Sequence, residues 1–504
     1  MKNADVLIIG SGISSLTCAA LLSKKGKSVI VLEQHSKSGG YLHCFSRFGE
    51  RFDTGAHYVG AMDPGQPFHT LLSYLGVLDD SLFTPLDPTG FDEFHYPDFN
   101  LKFPKGYDAL IQMLCQEFPR EKSAILKYFD LVQRAVKHFP TYEFSDVADT
   151  PTWALDTPLS AVVTELTSDR RLQCALYAYC ALHGVAPTDI GFGFHAIVTD
   201  SLIRGPYGLA SGGDALAQRF VQKIEECGGV VHTRKKVTRL EIKDRNVIMA
   251  VTESGECFSG DWVISGIHPK ATLRLLSDSS AMTPAFQERV SSLQESVGLL
   301  GIYATCPVEE SPFNPLRNYY FFSSDDPMGF LQWDKPTSST TAAFVTSAMR
   351  SPKSTSKSGM HPINIHSACP ISWCEPWLDS KFGERPERYV DLKATASDQT
   401  LGLIEGYFPG FRSAIKNVAV STPLTNLHFN GSEEGSAYGI YHSIANTGIR
   451  ALGPRTKVLN LLLTGQSSLF PGLLGAATSG LRTAGQIIGI KPILNELRSL
   501  RGRL

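Results

Sequence analysis

"VLIIGSGISSLTCAALLSKKGKSVIVLEQ", residues 6–34, is the stretch whose reading decides the fold. Four apolar residues (6–9) make a short buried strand. Residues 14–25 carry Leu16, Ala19, Ala20 and Leu22 at helical spacing, and 29–32 form a second apolar strand. Gly10 and Gly12 sit at the strand-to-helix turn, where a bare backbone lets a pyrophosphate approach and the helix N-terminus stabilises it. Glu33, 23 residues after Gly10, ends the second strand and is placed to accept hydrogen bonds from a ribose diol. Ser15 stands where a third glycine is usual. That position serves close helix–strand packing, so a small hydroxyl side chain reads as a tolerated change and the unit as a dinucleotide site.

The rest of the chain is organised around this unit. It has 504 residues, 42% of them apolar and 19% charged, enough for two or three domains and a large core. A net charge of −2 argues against a nucleic-acid partner. Ten cysteines without a CxxC pair read as reduced thiols in a cytoplasmic protein. The first strand begins almost at Met1, with no charged region and cleavage site before it, so no signal peptide is expected. Residues 458–481 lack charge, but Gln466, Ser467, Ser468, Pro471 and several glycines break them into strand, loop and helix.

Aromatic residues crowd 91–107, where Phe99, Leu101 and Phe103 alternate as in a strand, and again at Tyr319-Tyr320-Phe321-Phe322. Helices are expected over 121–138 and 215–226. Strands are expected over 230–232, 237–242, 247–252, 262–265 and 458–463, a Ser-rich loop near 351–361, and a small-residue helix from about 473 to 487. The expected architecture is α/β. A Rossmann-like nucleotide domain is built from 1–80, 205–290 and 440–490, interleaved with an α+β substrate domain (81–204 and 291–439). A basic tail covers 491–504.

After Glu33 come Gly39-Gly40 and then Phe52-Asp53-Thr54-Gly55-Ala56-His57. Here the chain resembles the flavoprotein amine oxidase and phytoene desaturase superfamily. "EQHSKSGGYLHCFSRFGERFDTGAHYVG" looks most like the retinol saturase and carotenoid isomerase branch, as do "GSAYGIYHS" (435–443) and "NLLLTGQSSLFPGLLGAATSG" (460–480). The resemblance implies FAD held by Gly10, Gly12, Ser15, Glu33, Gly39 and Gly40, with Val237 near adenine and Gly465, Gln466 and Gly472 near the flavin end. It departs at Gln466-Ser467-Ser468, where an acidic residue is common. The helix dipole after Gly472 would favour negative charge on the reduced ring.

That branch saturates, desaturates or isomerises carbon–carbon double bonds of polyenes. The implied enzyme is an FAD-dependent oxidoreductase with a hydrophobic isoprenoid-like substrate. Because no second Gly-rich strand-to-helix turn appears, electrons are expected to arrive from a separate donor, to leave to a separate acceptor or oxygen, or to cycle with no net redox change. Such a double bond has no polar handle, so a long apolar tunnel and positioning must do most of the work. A proton source is needed as well. His57, Tyr58, Tyr438 and His442 lie in the motifs expected to converge on the flavin, and Tyr41 and His43 are weaker candidates. No metal is expected; Cys369, Cys374, His361 and His366 flank a strand and a turn. The basic, amphipathic "KPILNELRSLRGRL" would offer peripheral contact with a membrane surface. Two alternatives stand beside this reading. One is an amine oxidase of the same fold, the other a non-catalytic prenyl- or lipid-binding protein.

Overall fold

The computed structural model describes residues 2–137, 139–145, 152–327, 340–348, 350 and 358–504. The elements that position the site run in chain order: β1 (Lys2–Ile9), α1 (Ile13–Lys24), β2 (Val29–Leu32), β3 (Asp92–His95), β4 (Asn100–Phe103), α2 (Phe192–Arg204), α3 (Gly213–Glu226), β5 (Val230–His232), β6 (Val237–Lys243), β7 (Asn246–Thr252) and β8 (Cys257–Ser265). They continue with β9 (Leu299–Pro307), β10 (Asn318–Phe322), β11 (Ala342–Ser347), β12 (Met360–Ala368), α4 (Glu387–Tyr407), β13 (Asn417–Ser421), β14 (Leu461–Leu463), α5 (Gly472–Ile488) and α6 (Ile490–Arg501).

β5, β2, β1, β8 and β14 lie side by side in parallel, and β7 and β6 extend the sheet antiparallel from β8. All four residues of β2 are buried, as a strand covered on both faces requires. On one face lie α1, α3 and α5. α1 has little amphipathic character and is buried along nearly its whole length, wedged between the sheet and α5.

β8 begins five residues earlier than expected. In its first half, Phe258, Ser259 and Gly260 pair in register with Lys2, Asn3 and Ala4, so neighbouring backbone rather than side-chain pattern makes it a strand. Strand β14 is shorter than 458–463.

A second sheet runs β13-β9-β12-β11-β10-β3-β4, antiparallel throughout except for the parallel β10–β3 pair. Of the expected loop near 351–361, residues 351–357 fall outside the described ones, and Met360 and His361 already belong to β12. The C-terminal tail is a helix whose apolar side is covered by protein. Ile493, Leu494 and Leu497 are buried, and Glu496 is held by Tyr74 and Lys25. The apolar side of this helix is therefore part of the core. Among the described residues no helix is long and apolar enough to cross a membrane. All ten cysteines are free thiols.

Candidate active site

Strand β1 delivers the chain to Gly10, whose φ of +85° is a conformation few side chains tolerate. Its N–H donates to Leu32 O at 2.8 Å, locking the turn against β2. Glu33, almost fully buried, accepts from Ser11 N (2.9 Å) and Ser11 Oγ (2.6 Å) on one oxygen and from His35 N (2.8 Å) on the other. The Ser11 hydroxyl in turn accepts from Gly39 N at 3.1 Å. One carboxylate thus organises both glycine turns.

The last segment closes onto the first: the hydroxyls of Ser14 and Thr464 are 2.5 Å apart, and Gly465 N donates to Ser14 Oγ at 2.9 Å. These turns open onto a cavity of about 770 Å³. Gly10, Gly12, Glu33, Gly39, Gly40, Val237, Gly465, Gln466 and Gly472 all line it. A Cβ added at Gly12 or at Gly472 would meet nothing within 4 Å. Bare backbone therefore faces open space at both helix N-termini, which fits a bound dinucleotide.

Ser15 is the exception among the expected cofactor residues. It does not line the cavity, because it points at the end of β8, where a Cβ on Gly266 would come within 1.9 Å of Ser15 Oγ. The hydroxyl itself has no partner. Ser15→Gly is therefore expected to leave cofactor content unchanged and to move stability by no more than about 1 kcal/mol. Equilibrium unfolding together with the visible spectrum of the purified variant checks this. In the loop after Gly465, Gln466 and Ser467 reach the cavity, while Ser468 Oγ donates to Leu452 O at 3.1 Å.

The opposite wall is the second sheet, and the two-residue period of its strands decides which side chains reach it. In β9, Leu299, Gly301 and Tyr303 face the cavity, while Leu300 and Ile302 pack into a separate core that includes Ala396 and Ile404 of α4. The quartet 319–322 divides in the same way. Tyr320 and Phe322 face the cavity; Tyr319 and Phe321 face the α4 side. Phe344 and His366 continue the aromatic wall on β11 and β12, and Ile197, Val198 and Phe194 of α2 supply an apolar side.

Three of the four expected proton carriers line this cavity: His57, Tyr58 and Tyr438. Burial and the neighbouring His366, whose ring centroid is 4.7 Å away, hold the His57 imidazole well below its ordinary pKa, so it is neutral. Tyr438 Oη donates to Ala181 O at 3.3 Å. His442 is not on the lining. It lies behind Phe470, with burial depressing its pKa to about 4. Of the weaker candidates, Tyr41 Oη donates to Ser436 O at 2.8 Å and His43 Nε2 lies 3.0 Å from Lys37 O.

The sequence reading missed Tyr320, His366, Tyr303 and the carboxyl of Asp92. A signal for Asp92 existed. It shares a strand face with Phe94, and a carboxylate two residues from a core phenylalanine points inward. His361 and His366 are five residues apart on one strand and so point to opposite faces; His361 is bonded by Ser311 and Ser347. Cys180, His183 and His195 do gather, with donor atoms within 4.8 Å of one another. Their ring nitrogens already form a chain: Val185 N donates to His183 Nδ1, His183 Nε2 faces His195 Nδ1 at 3.2 Å, and His195 Nε2 faces Leu176 O. Two neutral rings satisfy it completely.

The model of a family described as an NAD(P)-binding Rossmann-like domain matches residues 8–75. All-trans-retinol 13,14-reductase of Rattus norvegicus is 27% identical, the alignment covering 100% of this chain and 88% of the relative. Prolycopene isomerase 2 (chloroplastic) of an Oncidium hybrid cultivar is 25% identical over 96% of this chain and 83% of its own length. Among solved structures, an oxidoreductase from Methanosarcina mazei superposes with a TM-score of 0.66 at 17% identity, covering 97% of this chain and 100% of its own. A putrescine oxidase variant gives 0.64 at 14%, covering 97% and 99%. At these identities the structural likeness shows the fold alone. Over its whole length, then, the chain resembles the retinol saturase and carotenoid isomerase branch of the phytoene desaturase superfamily, as its motifs imply.

Proposed function

We propose that this protein is an FAD-dependent oxidoreductase that saturates, desaturates or isomerises carbon–carbon double bonds of a polyene or isoprenoid substrate. The observation that carries this reading is the continuity of one cavity, from the glycine turns around Glu33 to a wall of Tyr303, Tyr320, Phe322 and Phe344. The relatives' printed names, a retinol reductase and prolycopene isomerases, describe reactions at polyene double bonds.

FAD would lie along Gly10, Gly12, Glu33, Gly39 and Gly40, with adenine near Val237 and the ring near Gly465, Gln466 and Gly472. Bound there, the flavin supplies two-electron transfer to or from carbon. The protein's own work is to align an apolar chain, exclude water and meet developing allylic positive charge with aromatic faces, at about 0.5–2 kcal/mol per contact. In saturation or desaturation electrons pass to or from a separate partner; in isomerisation they cycle with no net redox change.

The purified protein is expected to be yellow, with flavin released on denaturation. Anaerobic incubation of the dithionite-reduced, flavin-loaded protein with all-trans-retinol and with prolycopene is expected to give saturated or isomerised product by chromatography. A colourless protein that takes up no FAD would leave only a binding role. Peroxide release dependent on amines, without polyene turnover, would favour an amine oxidase.

A further inference from the structure

Behind the aromatic wall lies a buried polar network that the cofactor does not need. Asp92, on β3, is wholly inaccessible to solvent. Its Oδ1 accepts from Asn318 Nδ2 at 2.7 Å, and its Oδ2 lies 3.4 Å from Tyr58 Oη. Tyr58 Oη is 2.6 Å from Tyr320 Oη, and both tyrosines line the cavity. The Tyr179 hydroxyl stands beside the same carboxyl.

The orientation of this network is determined. Arg350, itself fully buried, donates through Nη2 to Asn318 Oδ1 at 2.6 Å and to Thr346 Oγ1. Thr346 Oγ1 donates to the same Asn318 oxygen at 3.2 Å. The Asn318 amide must therefore turn its NH2 toward Asp92, which makes Oδ1 an acceptor. A proton on this carboxyl then sits on Oδ2, facing Tyr58. Burial raises the Asp92 carboxyl to about 7, against the opposing pull of Asn318, Tyr179, Arg350 and Tyr58.

We propose that Tyr58 is the group that delivers a proton to the alkene carbon, that Asp92 is its single-proton reservoir, and that Tyr320 steadies the phenolate. This rests on the polyene reaction proposed above. In saturation, the Tyr58 O–H bond breaks as a C–H bond forms on one alkene carbon. A flavin bound at the glycine turns would supply the hydride for the other carbon, so that two electrons and two hydrogens are added in all. The Tyr58 phenolate then takes the Asp92 proton, leaving a carboxylate. That carboxylate regains a proton through Tyr58 when product leaves and water refills the cavity.

A reservoir is needed because an apolar occupant dries the cavity and cuts Tyr58 off from solvent. The alternative carriers are less suited. His57 is a neutral imidazole, and Tyr438 is tied to a backbone carbonyl.

The test uses the flavin-loaded full chain reduced with dithionite, with all-trans-retinol and prolycopene as probes. Tyr58→Phe is expected to lower kcat by about 100-fold or more with KM within about threefold of wild type and an unchanged flavin spectrum. Asp92→Asn is expected to lower kcat by about tenfold or more, since the isosteric amide keeps the Asn318 contact and cannot reload Tyr58. Tyr58→Phe turnover within about twofold of wild type overturns the proposal.

A second readout is independent of turnover. Infrared spectra of the wild type at neutral pH are expected to show a protonated-carboxyl C=O band that vanishes in Asp92→Asn and shifts in Tyr58→Phe. A wild-type spectrum without that band overturns the relay. Flavin-loaded wild type that converts neither probe counts against the proposed function instead, and the infrared result then decides the relay by itself.

Discussion

Gly480→Ala is expected to destabilise the protein by about 3 kcal/mol or more and to release the cofactor. Inside a helix this substitution ordinarily stabilises, by about 0.5–1 kcal/mol. The sign reverses here because α5 crosses α1 at this glycine. A Cβ at 480 would lie 2.2 Å from Ser14 O and 3.1 Å from Thr17 Cβ. The clash is with backbone, so no side chain can swing away and the two helices must separate. Ser14 is also the residue whose hydroxyl bonds Thr464 and Gly465 N, so separation opens the seam between the first and last segments. Urea unfolding and the visible spectrum after gel filtration read the two effects. Gly402→Ala is the control. It lies inside α4, where the nearest atom to a new Cβ is Arg412 Nη1 at 3.8 Å, and it is expected to gain about 0.5–1 kcal/mol.

Asp92→Asn is expected to become more stable than wild type as pH rises, its advantage growing by about 2–3 kcal/mol between pH 5 and pH 8. The sign follows from the raised pKa. In the unfolded chain the carboxyl titrates near 3.8, and in the folded protein near 7. Between those values the native state holds the extra proton, so wild-type stability falls as pH rises through the window. Above pH 7 the folded protein carries a buried charge, held by Asn318 and by the distant field of Arg350. The neutral amide never carries it. Urea unfolding of both proteins at the two pH values checks the difference; curves that stay parallel would mean that the carboxyl is already ionised at pH 5. This measurement needs no substrate and bears on the same group that the proton relay uses.

The nucleotide cradle was legible because its physics is local. A four-residue apolar strand, two glycines, a helix of small residues and a terminal glutamate each follow from period and backbone freedom within about thirty residues. Ser15 was legible as a packing position and still misplaced as a cofactor contact, since only its neighbour Gly266, 251 residues away in sequence, shows which way it points. The placement of His442 was illegible for the same reason. Its motif reaches the cavity through Tyr438, but the ring itself is screened by Phe470. The first half of β8 was illegible because Ser259, Gly260 and Asp261 carry no strand pattern, and Ser259 and Gly260 pair only because β1 lies beside them.

The amino-acid sequence alone determined that the chain is α/β, that residues 6–34 form a dinucleotide-type unit, and that aromatic residues crowd 91–107 and 319–322. Tertiary structure decided everything that depends on facing. It divided Tyr319 to Phe322 between two cores, set Tyr58 against Tyr320, and placed Asp92 behind both. Periodicity says which residues share a face. Which face becomes a cavity, and which buried carboxyl keeps its proton, depends on strands and helices that meet across hundreds of residues.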